Sequence, residues 1–464
     1  MLRLLKQYFP IRNIIFYLIE GLVIFGSFLL ATAILSSPRF LFLDSSVCLR
    51  ILLITFICQA CLYYNDLYDF KVVSSISEVS IRLLQALGVS SIILALIYWI
   101  FPSVIINQLV FILSVVFLLI FIIGWRIFYI FCINNGWFNQ KIIILGTSSL
   151  AIDIITEINA APDCGYSVVA LILGSEKNEA TNDILKDLFI INDKENFCDV
   201  VKQMQAEKII VALKERRGTF PTQELIRCRT AGIEVLEGSS FYETLTGKVL
   251  VTKINPSWLI FSDGFRKSKF QTIVKRMEDI FISLIMLIIL SPLLLVTSIL
   301  IKLESKGPIL FSQDRVGQNK NEYMMHKFRS MVVDAEKSTG PVWAQKNDMR
   351  ITRVGRVIRK FRIDELPQLW DVLIGRMSMV GPRPERKFFT DSLEQQIPFY
   401  SERFVVKPGL TGWAQVSYDY GATVDDAIEK LNYDLFYIKN LSITMDIVIV
   451  LRTVKTVLFG RGAR

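Results

Sequence analysis

Four apolar runs fill much of the first third of the chain, at residues 14–35, 46–64, 83–101 and 109–133, and each is near the roughly 20 residues a helix needs to cross a bilayer. No other feature restricts the fold as much. With 52% apolar residues over a length of 464, the chain is too apolar for an ordinary soluble protein, and these runs are read as four membrane spans. The first is not read as a cleaved signal peptide, because it is too long, contains Glu20 and lacks a small-residue cleavage site. At about 150 residues per domain, two or three further domains are expected.

The basic residues orient the spans. Arg3, Lys6 and Arg12 precede the first, Lys71 and Arg82 lie between the second and third, Arg126 stands near the end of the fourth and Lys141 beyond it, and the loop at 101–108 has none. The amino terminus, the middle loop and everything after the fourth span are therefore expected on the cytoplasmic side, with Arg39 the one dissenting charge. A formal net charge of +9 suits either nucleic acid or an anionic leaflet. The apolar runs favour lipid, and no nucleic-acid partner is expected. The cluster Tyr63-Tyr64-Asn65-Asp66-Leu67-Tyr68-Asp69-Phe70 reads as an interfacial aromatic belt in preference to a carboxylate site. The seven cysteines are scattered and suggest neither a disulfide framework nor a zinc site; Cys58 and Cys61, inside an apolar run, read as membrane-facing thiols and not as a redox pair.

From Lys141 the pattern changes to short buried strands alternating with helical stretches, with strand-like runs at 141–146, 167–173, 208–213 and 232–236. Such alternation argues a parallel sheet with helices on its faces, an α/β Rossmann-like domain over about 138–262. Its first turn, Gly146-Thr147-Ser148-Ser149-Leu150-Ala151, has one of the three glycines of a dinucleotide fingerprint. An appended domain for assembly or regulation is the favoured reading, and it offers a surface for a homodimer.

A fifth apolar stretch, about 280–301, carries no charge and is long enough to span. Both its flanks are basic, with Arg266, Lys267, Lys269, Lys275 and Arg276 before it and Lys302, Lys306, Arg315 and Lys320 after it. Ser291-Pro292 stands at its middle, where proline breaks the backbone ladder and serine can cover a freed carbonyl. A re-entrant helix that bends there and returns to the cytoplasmic side satisfies both features.

Beyond it, Asp364 and Glu365 stand beside Arg350, Arg353, Arg356, Arg359 and Arg362, which recur at every third residue and so fall near one face of a helix. Guanidinium forks suit phosphate oxygens. Pro367 predicts a helix that begins near Asp364 and runs into Leu369, Trp370 and Leu373, placing the acid pair at its positive end. Adjacent helical residues do not share a face, so the two carboxylates are expected to take different roles. The sole histidine, His326, is expected to bond locally, and Trp413 to sit in a packed turn. Residues 441–459 read as an amphipathic helix on or near the membrane.

Motifs extend over this whole region: Lys275-Arg276 with Asp279, Ser291-Pro292, Gly307-Pro308-Ile309-Leu310-Phe311, Gln313-Asp314-Arg315-Val316-Gly317 and Lys327-Phe328-Arg329-Ser330-Met331. Asp364-Glu365-Leu366-Pro367-Gln368, Met379-Val380-Gly381-Pro382-Arg383-Pro384 and Lys407-Pro408-Gly409-Leu410-Thr411-Gly412-Trp413 follow. In this order and spacing they resemble the bacterial sugar transferases that act as polyprenyl-phosphate phosphoglycosyl transferases, in the long form with four spans and a middle domain. The resemblance is strong from about residue 275 onward and one of layout before it.

It implies a membrane α-helical part (1–137), the Rossmann-like domain (138–262) and a mainly α-helical catalytic domain with a re-entrant helix (263–464). It also implies transfer of a sugar 1-phosphate from a UDP-sugar to undecaprenyl phosphate with release of UMP, the initiating step of exopolysaccharide, capsule or O-antigen synthesis at the bacterial inner membrane. Asp364 would be the covalent nucleophile, and Glu365 would handle Mg²⁺, with Asp364 as a second ligand, or a proton. Arg383, stiffened by two prolines, would clamp phosphate with Arg362 and Arg329 behind it. Asp446, Lys275 and Arg276 are weaker nominees. Two other readings remain, a non-enzymatic scaffold of a polysaccharide assembly complex and a membrane-anchored nucleotide-sugar oxidoreductase or epimerase. The missing glycines count against the latter.

Overall fold

The computed structural model describes residues 2–4, 7–9, 11–35, 45–68, 76–137, 139–173, 189–191, 197–213, 220–253, 264–265, 268–333, 348–418, 421 and 423–458. Lys6, Arg39, Lys71, Arg266 and Lys267, used above for orientation, lie outside them. The chain divides into two compact units, essentially residues 8–238 and 239–464.

In the first unit the apolar runs form α1 (Ile11–Leu35), α2 (Ser45–Tyr64), α3 (Ile76–Ile100) and α4 (Gln108–Asn134). With the long helix of the second unit they make five helices long and apolar enough to cross a membrane, and the protein is a multi-pass membrane protein. Ile24, Phe28, Ile51, Ile54, Leu83 and Leu118 pack into the bundle core, while Leu18, Leu22, Ile92, Leu96 and Ile120 face outward, as lipid-facing residues should. Gly21 permits the approach of α1 to α2, since a Cβ there would lie 2.7 Å from Gln59 Nε2. That amide donates to Tyr17 O at 2.9 Å. Glu20 and Arg126 form a buried ion pair at 2.6 Å, and Arg126 also donates to Leu67 O at 2.8 Å. A charge in a bundle is tolerated when it is paired and faces inward. Asp66, from the aromatic cluster, pairs with Arg82 at 3.2 Å. Cys58 and Cys61 are free and buried between helices, not membrane-facing.

The middle region has five strands, β1 (Gln140–Leu145), β2 (Tyr166–Ile172), β3 (Phe189–Ile191), β4 (Lys208–Val211) and β5 (Glu234–Glu237), all parallel in the order β3-β2-β1-β4-β5. Helices α5 (Ser149–Ala160), α6 (Phe197–Gln203) and α7 (Thr222–Thr230) lie between them in sequence, and α8 (Gly238–Thr246) follows β5. This is the doubly wound order, with its switch point at β1 and β4. Gly146 has φ +110 there, and a Cβ on it would sit 2.5 Å from Ala212 O. Ser148 caps α5 and donates to the same carbonyl at 2.6 Å.

The second unit is mainly helical. Its longest element, α9 (Lys269–Glu304), is a 36-residue helix that begins at a capping box of Ser268 and Gln271 and runs through Pro292. Pro292 has no N–H for Ile288 O, and Ser291 Oγ donates to that carbonyl at 2.7 Å. A hairpin of β6 (Leu310–Val316) and β7 (Glu322–Phe328) follows, then α10 (Arg353–Lys360), a 3-10 turn (Ile363–Glu365) and α11 (Gln368–Ile374). Strand β8 (Ser378–Val380), α12 (Lys387–Gln396), a second 3-10 stretch (Tyr400–Val405) and β9 (Gly409–Thr411) lead to α13 (Trp413–Ser417), α14 (Val424–Asn440) and α15 (Ile443–Leu458). Strands β8 and β9 are parallel, and a Cβ on Gly409 would stand 2.1 Å from Gly381 N, so only glycine lets these backbones meet. Leu369, Val372, Met377, Leu435, Ile438 and Ile449 form the core beneath them.

Buried polar contacts dock α9 on this core. Lys275 lies 3.1 Å from Asp279 and 2.9 Å from Asp446. Asp279 accepts from Met379 N at 2.9 Å and Ser378 Oγ at 3.0 Å, and Tyr437 Oη meets Asp446 at 2.9 Å. Arg276 donates to Val372 O at 2.7 Å and Leu373 O at 2.6 Å, closing the C-terminal end of α11. In α15, Met445 and Ile449 face the core while Ile447 and Leu451 are exposed, the two-sided pattern expected of that stretch.

Candidate active site

The acid pair lies one step before the helix that the sequence suggested. Pro367 is the N-cap of α11, which starts at Gln368, and Asp364 and Glu365 occupy the separate 3-10 turn. Proline is accommodated where no intrahelical N–H is needed, so the α-helix begins just after it and not three residues earlier. A helix beginning near Asp364 and running into Leu369, Trp370 and Leu373 is thus not what forms: the α-helix starts at Gln368, after the acid pair. Side chains and not a helix dipole supply the positive charge. Arg362 enters the turn in the left-handed region, with φ 52.

The arginine row is also divided. Only Arg353, Arg356 and Arg359 share α10, and the first two are exposed. Arg350 precedes the helix and pairs with Asp348 at 2.6 Å, while Arg362 follows it and lies 3.6 Å from Glu365 Oε2. A period of three drifts around a helix of 3.6 residues per turn, and this helix is only eight residues long.

The two carboxylates differ. Glu365 is 8% exposed, and its Oε1 lies 2.9 Å from Arg383 Nη2 and 3.3 Å from Lys327 Nζ. Burial alone would raise its pKa, but Arg383, Lys327 and Arg362 outweigh it and hold the carboxyl well below the ordinary carboxylate range. Asp364 is half-buried and makes no hydrogen bond or ion pair among the described residues. Burial, and then the neighbouring Glu365 charge, push its pKa up against the pull of Lys327, Arg359 and Arg383. Burial likewise lowers Lys327 and Arg315, the former against the opposing charge of Glu365.

Arg315, Lys327, Glu365 and Arg383 line one cleft over Met325 and Gln368. Three cations face one anion there, a setting for an anionic ligand. Strand alternation explains part of the convergence: Lys327 points to Glu365, and Phe328 packs on the opposite side with Ile301 and Ile358. Arg315 and Lys327 were not nominated from sequence, although both lie inside the motifs quoted above. Arg329, which was, donates to Ser305 O at 2.8 Å and Lys306 O at 3.1 Å at the end of α9, and so is directed at that helix terminus and not at the acid pair. Lys275, Arg276 and Asp446 belong to the docking contacts of α9, and Ser291 and Pro292 to its interior. His326 bonds Asp371 at 2.8 Å, and Trp413 Nε1 donates to Gly247 O at 2.8 Å, both local packing roles. Mg²⁺ binds through one or two carboxylates alongside substrate phosphates; Glu365 and Asp364 are carboxylates of that class, and among the described residues no group of three or more His, Cys, Asp or Glu side chains gathers to hold a metal.

A family model described as bacterial sugar transferase matches residues 270–460, and one described as CoA-binding domain matches residues 64–219. The chain is 46% identical over 240 residues to a UDP-N-acetylgalactosamine-undecaprenyl-phosphate N-acetylgalactosaminephosphotransferase of Aeromonas hydrophila, covering 52% of this chain and 56% of that one. It is 43% identical over 186 residues to a UDP-glucose:undecaprenyl-phosphate glucose-1-phosphate transferase of Klebsiella pneumoniae, 39% of each chain. These matches thus span about half or less of those relatives. Over 358 residues, 72% of each chain, it is 30% identical to an uncharacterized sugar transferase of Haemophilus influenzae. The region matched by the sugar transferase model contains the whole cation-lined cleft and the acid pair, and with a 30% identical sugar transferase covered over 72% of its length the chain belongs to the bacterial sugar transferase family.

Proposed function

We propose that the protein transfers a sugar 1-phosphate from a UDP-sugar to undecaprenyl phosphate through a covalent intermediate on Asp364. The observation that carries this reading is the asymmetry of the acid pair: Glu365 is held by three cations, while Asp364 keeps its oxygens free of hydrogen bonds and ion pairs among the described residues. A carboxylate oxygen of Asp364 attacks the phosphorus attached to the sugar, and the bond from that phosphorus to the oxygen of the UMP phosphate breaks, with UMP leaving. A phosphate oxygen of the lipid then attacks the same phosphorus, breaking its bond to Asp364 and restoring the carboxylate.

Arg383, Lys327 and Arg315 attract the diphosphate and offset repulsion between it and the anionic nucleophile. Glu365 fixes Arg383 and Lys327 in place. Mg²⁺ held through Glu365 and Asp364 would neutralise charge on the departing phosphate.

In this reading the fifth apolar helix returns to the side it entered from, and the cleft works at the cytoplasmic face of the inner membrane, where soluble donor and lipid acceptor meet. Basic flanks on both sides of α9 support the return. So does its docking: Arg276 near one end bonds the end of α11, and Ile301 near the other packs on Phe328 and Ile358 of the same unit. Those positions would be about 37 Å apart on a straight helix, and Ser291-Pro292 lies between them within the helix.

The test is UMP release from a panel including UDP-N-acetylgalactosamine and UDP-glucose, with undecaprenyl phosphate and magnesium. Wild type should be active on one of them, and Asp364→Asn should lose about 10³-fold or more. Inactivity across the panel, or an active Asp364→Asn variant, overturns the reading and favours the scaffold.

A further inference from the structure

Arg403 and Asp434 are a guanidinium and a carboxylate with 6% and 2% exposure, inside a core that accepts Leu435 at 0% next to Asp434. Burying such a pair strips water from both ions, a cost often not recovered relative to apolar packing. Stability alone is therefore a weak reason for its presence, and its contacts suggest another. Arg403 Nη2 donates to Asp434 Oδ2 at 3.0 Å and to the backbone carbonyl of Arg383 at 3.1 Å, and Arg403 Nη1 reaches Tyr400 Oη.

The loop that carries Arg383 is secured at successive carbonyls, the last of them Glu385 O, which accepts from Val316 N at 3.0 Å. Pro382 O accepts from Gly409 N at 2.9 Å, Arg383 O from Arg403, and Pro384 O from Arg315 Nη1 at 3.3 Å. The first two hold the peptide groups on either side of the Arg383 Cα, and of these the contact to Arg383 O is the one made by a side chain. Its donor is aimed in turn by Asp434 on α14, far along the chain from the acid pair.

We infer that Arg403 and Asp434 are positioning residues that fix the backbone of Arg383 and thereby aim its guanidinium at Glu365 and the substrate diphosphate. The inference rests on the transferase reading. Arg403 touches no reacting atom; it acts through Arg383. A lysine in its place has one compact ammonium and cannot reproduce the fork that spans a carboxylate, a carbonyl and a phenol. Asp434→Asn keeps the shape and weakens the aim.

A double-mutant cycle on the full-length protein in detergent tests this. Arg403→Lys and Asp434→Asn should each lower kcat for sugar-phosphate transfer by 10-fold or more, with thermal midpoints showing that the samples are folded at the assay temperature. Combined with Arg383→Lys, either should add less than a further threefold loss, since its route to the site is already cut. If the losses multiply in full, the pair acts on the fold in general and the inference fails. The isosteric Asp434→Asn keeps the test decisive if Arg403→Lys does not fold. The same cycle read on affinity for UDP needs no turnover. With no transfer by wild type but UDP binding, the transferase reading fails while the cycle still decides the positioning role. No transfer and no UDP binding overturns both.

Discussion

Replacing Glu365 by glutamine keeps the side-chain shape and removes one buried negative charge, and its consequences can be worked from the site. Two cations lie within about 4 Å of Glu365 Oε1 and a third within 4 Å of Oε2. At that separation each pair interacts by about 4 kcal/mol at an effective dielectric near 20, before desolvation is counted. Breaking a buried pair costs about 3–5 kcal/mol; Arg383 and Arg362 keep contact with solvent, which places the loss of stability near the lower end. The sharper consequence concerns Asp364. Its pKa is raised by burial and then by Glu365, and it must be ionised to attack, so wild-type loading falls as pH drops through that raised value. Removing Glu365's charge deletes a raising contribution and leaves Lys327, Arg359 and Arg383, which lower the pKa, opposed by burial alone. The acid limb should then move to lower pH, even though the rate at the optimum falls. Single-turnover UMP release measured from pH 4 to 8 reads both quantities. An acid limb that stays in place or moves to higher pH would refute the reasoning.

Other expectations follow from the same contacts. Lys275→Met leaves Asp279 and Asp446 buried without their shared cation and should destabilise the second unit by about 3–5 kcal/mol in thermal unfolding, with part of the loss recovered by adding Asp446→Asn. In the bundle, Arg126→Leu strands Glu20 and should lower the thermal midpoint in detergent, while Glu20→Gln with Arg126→Leu should cost less than Arg126→Leu alone. Single cysteines at Ser268 and Ser305, which flank α9, should both resist a membrane-impermeant maleimide in intact cells and both react after lysis; labelling of one in intact cells would show a crossing helix.

Much of the fold was legible because its determinants are local. The bilayer imposes a length on apolar runs, so the ends of α1 to α4 match the sequence reading to within a few residues except at the start of α3, where a polar turn precedes the apolar stretch. Strand and helix alternation exposed the parallel sheet, and the serine before Pro292 covers a carbonyl as expected. The acid pair was legible from its motif. Its neighbours were less legible, because charges spaced by three suggest one helix face while the backbone leaves the helix at Arg362. Arg329 and Lys327 show the difficulty: two residues apart, one closes a helix end and the other faces Glu365.

The sequence by itself determined the membrane spans, the middle α/β unit and the location of the acid pair, since hydrophobic period, segment length and turn chemistry act between near neighbours. The tertiary structure decided which cations meet Glu365, which carboxylate is left free, and that Glu20 and Arg126 are partners. Those outcomes depend on strand register and loop closure, which bring charges together only once distant segments have packed, and no local pattern encodes the distance between them.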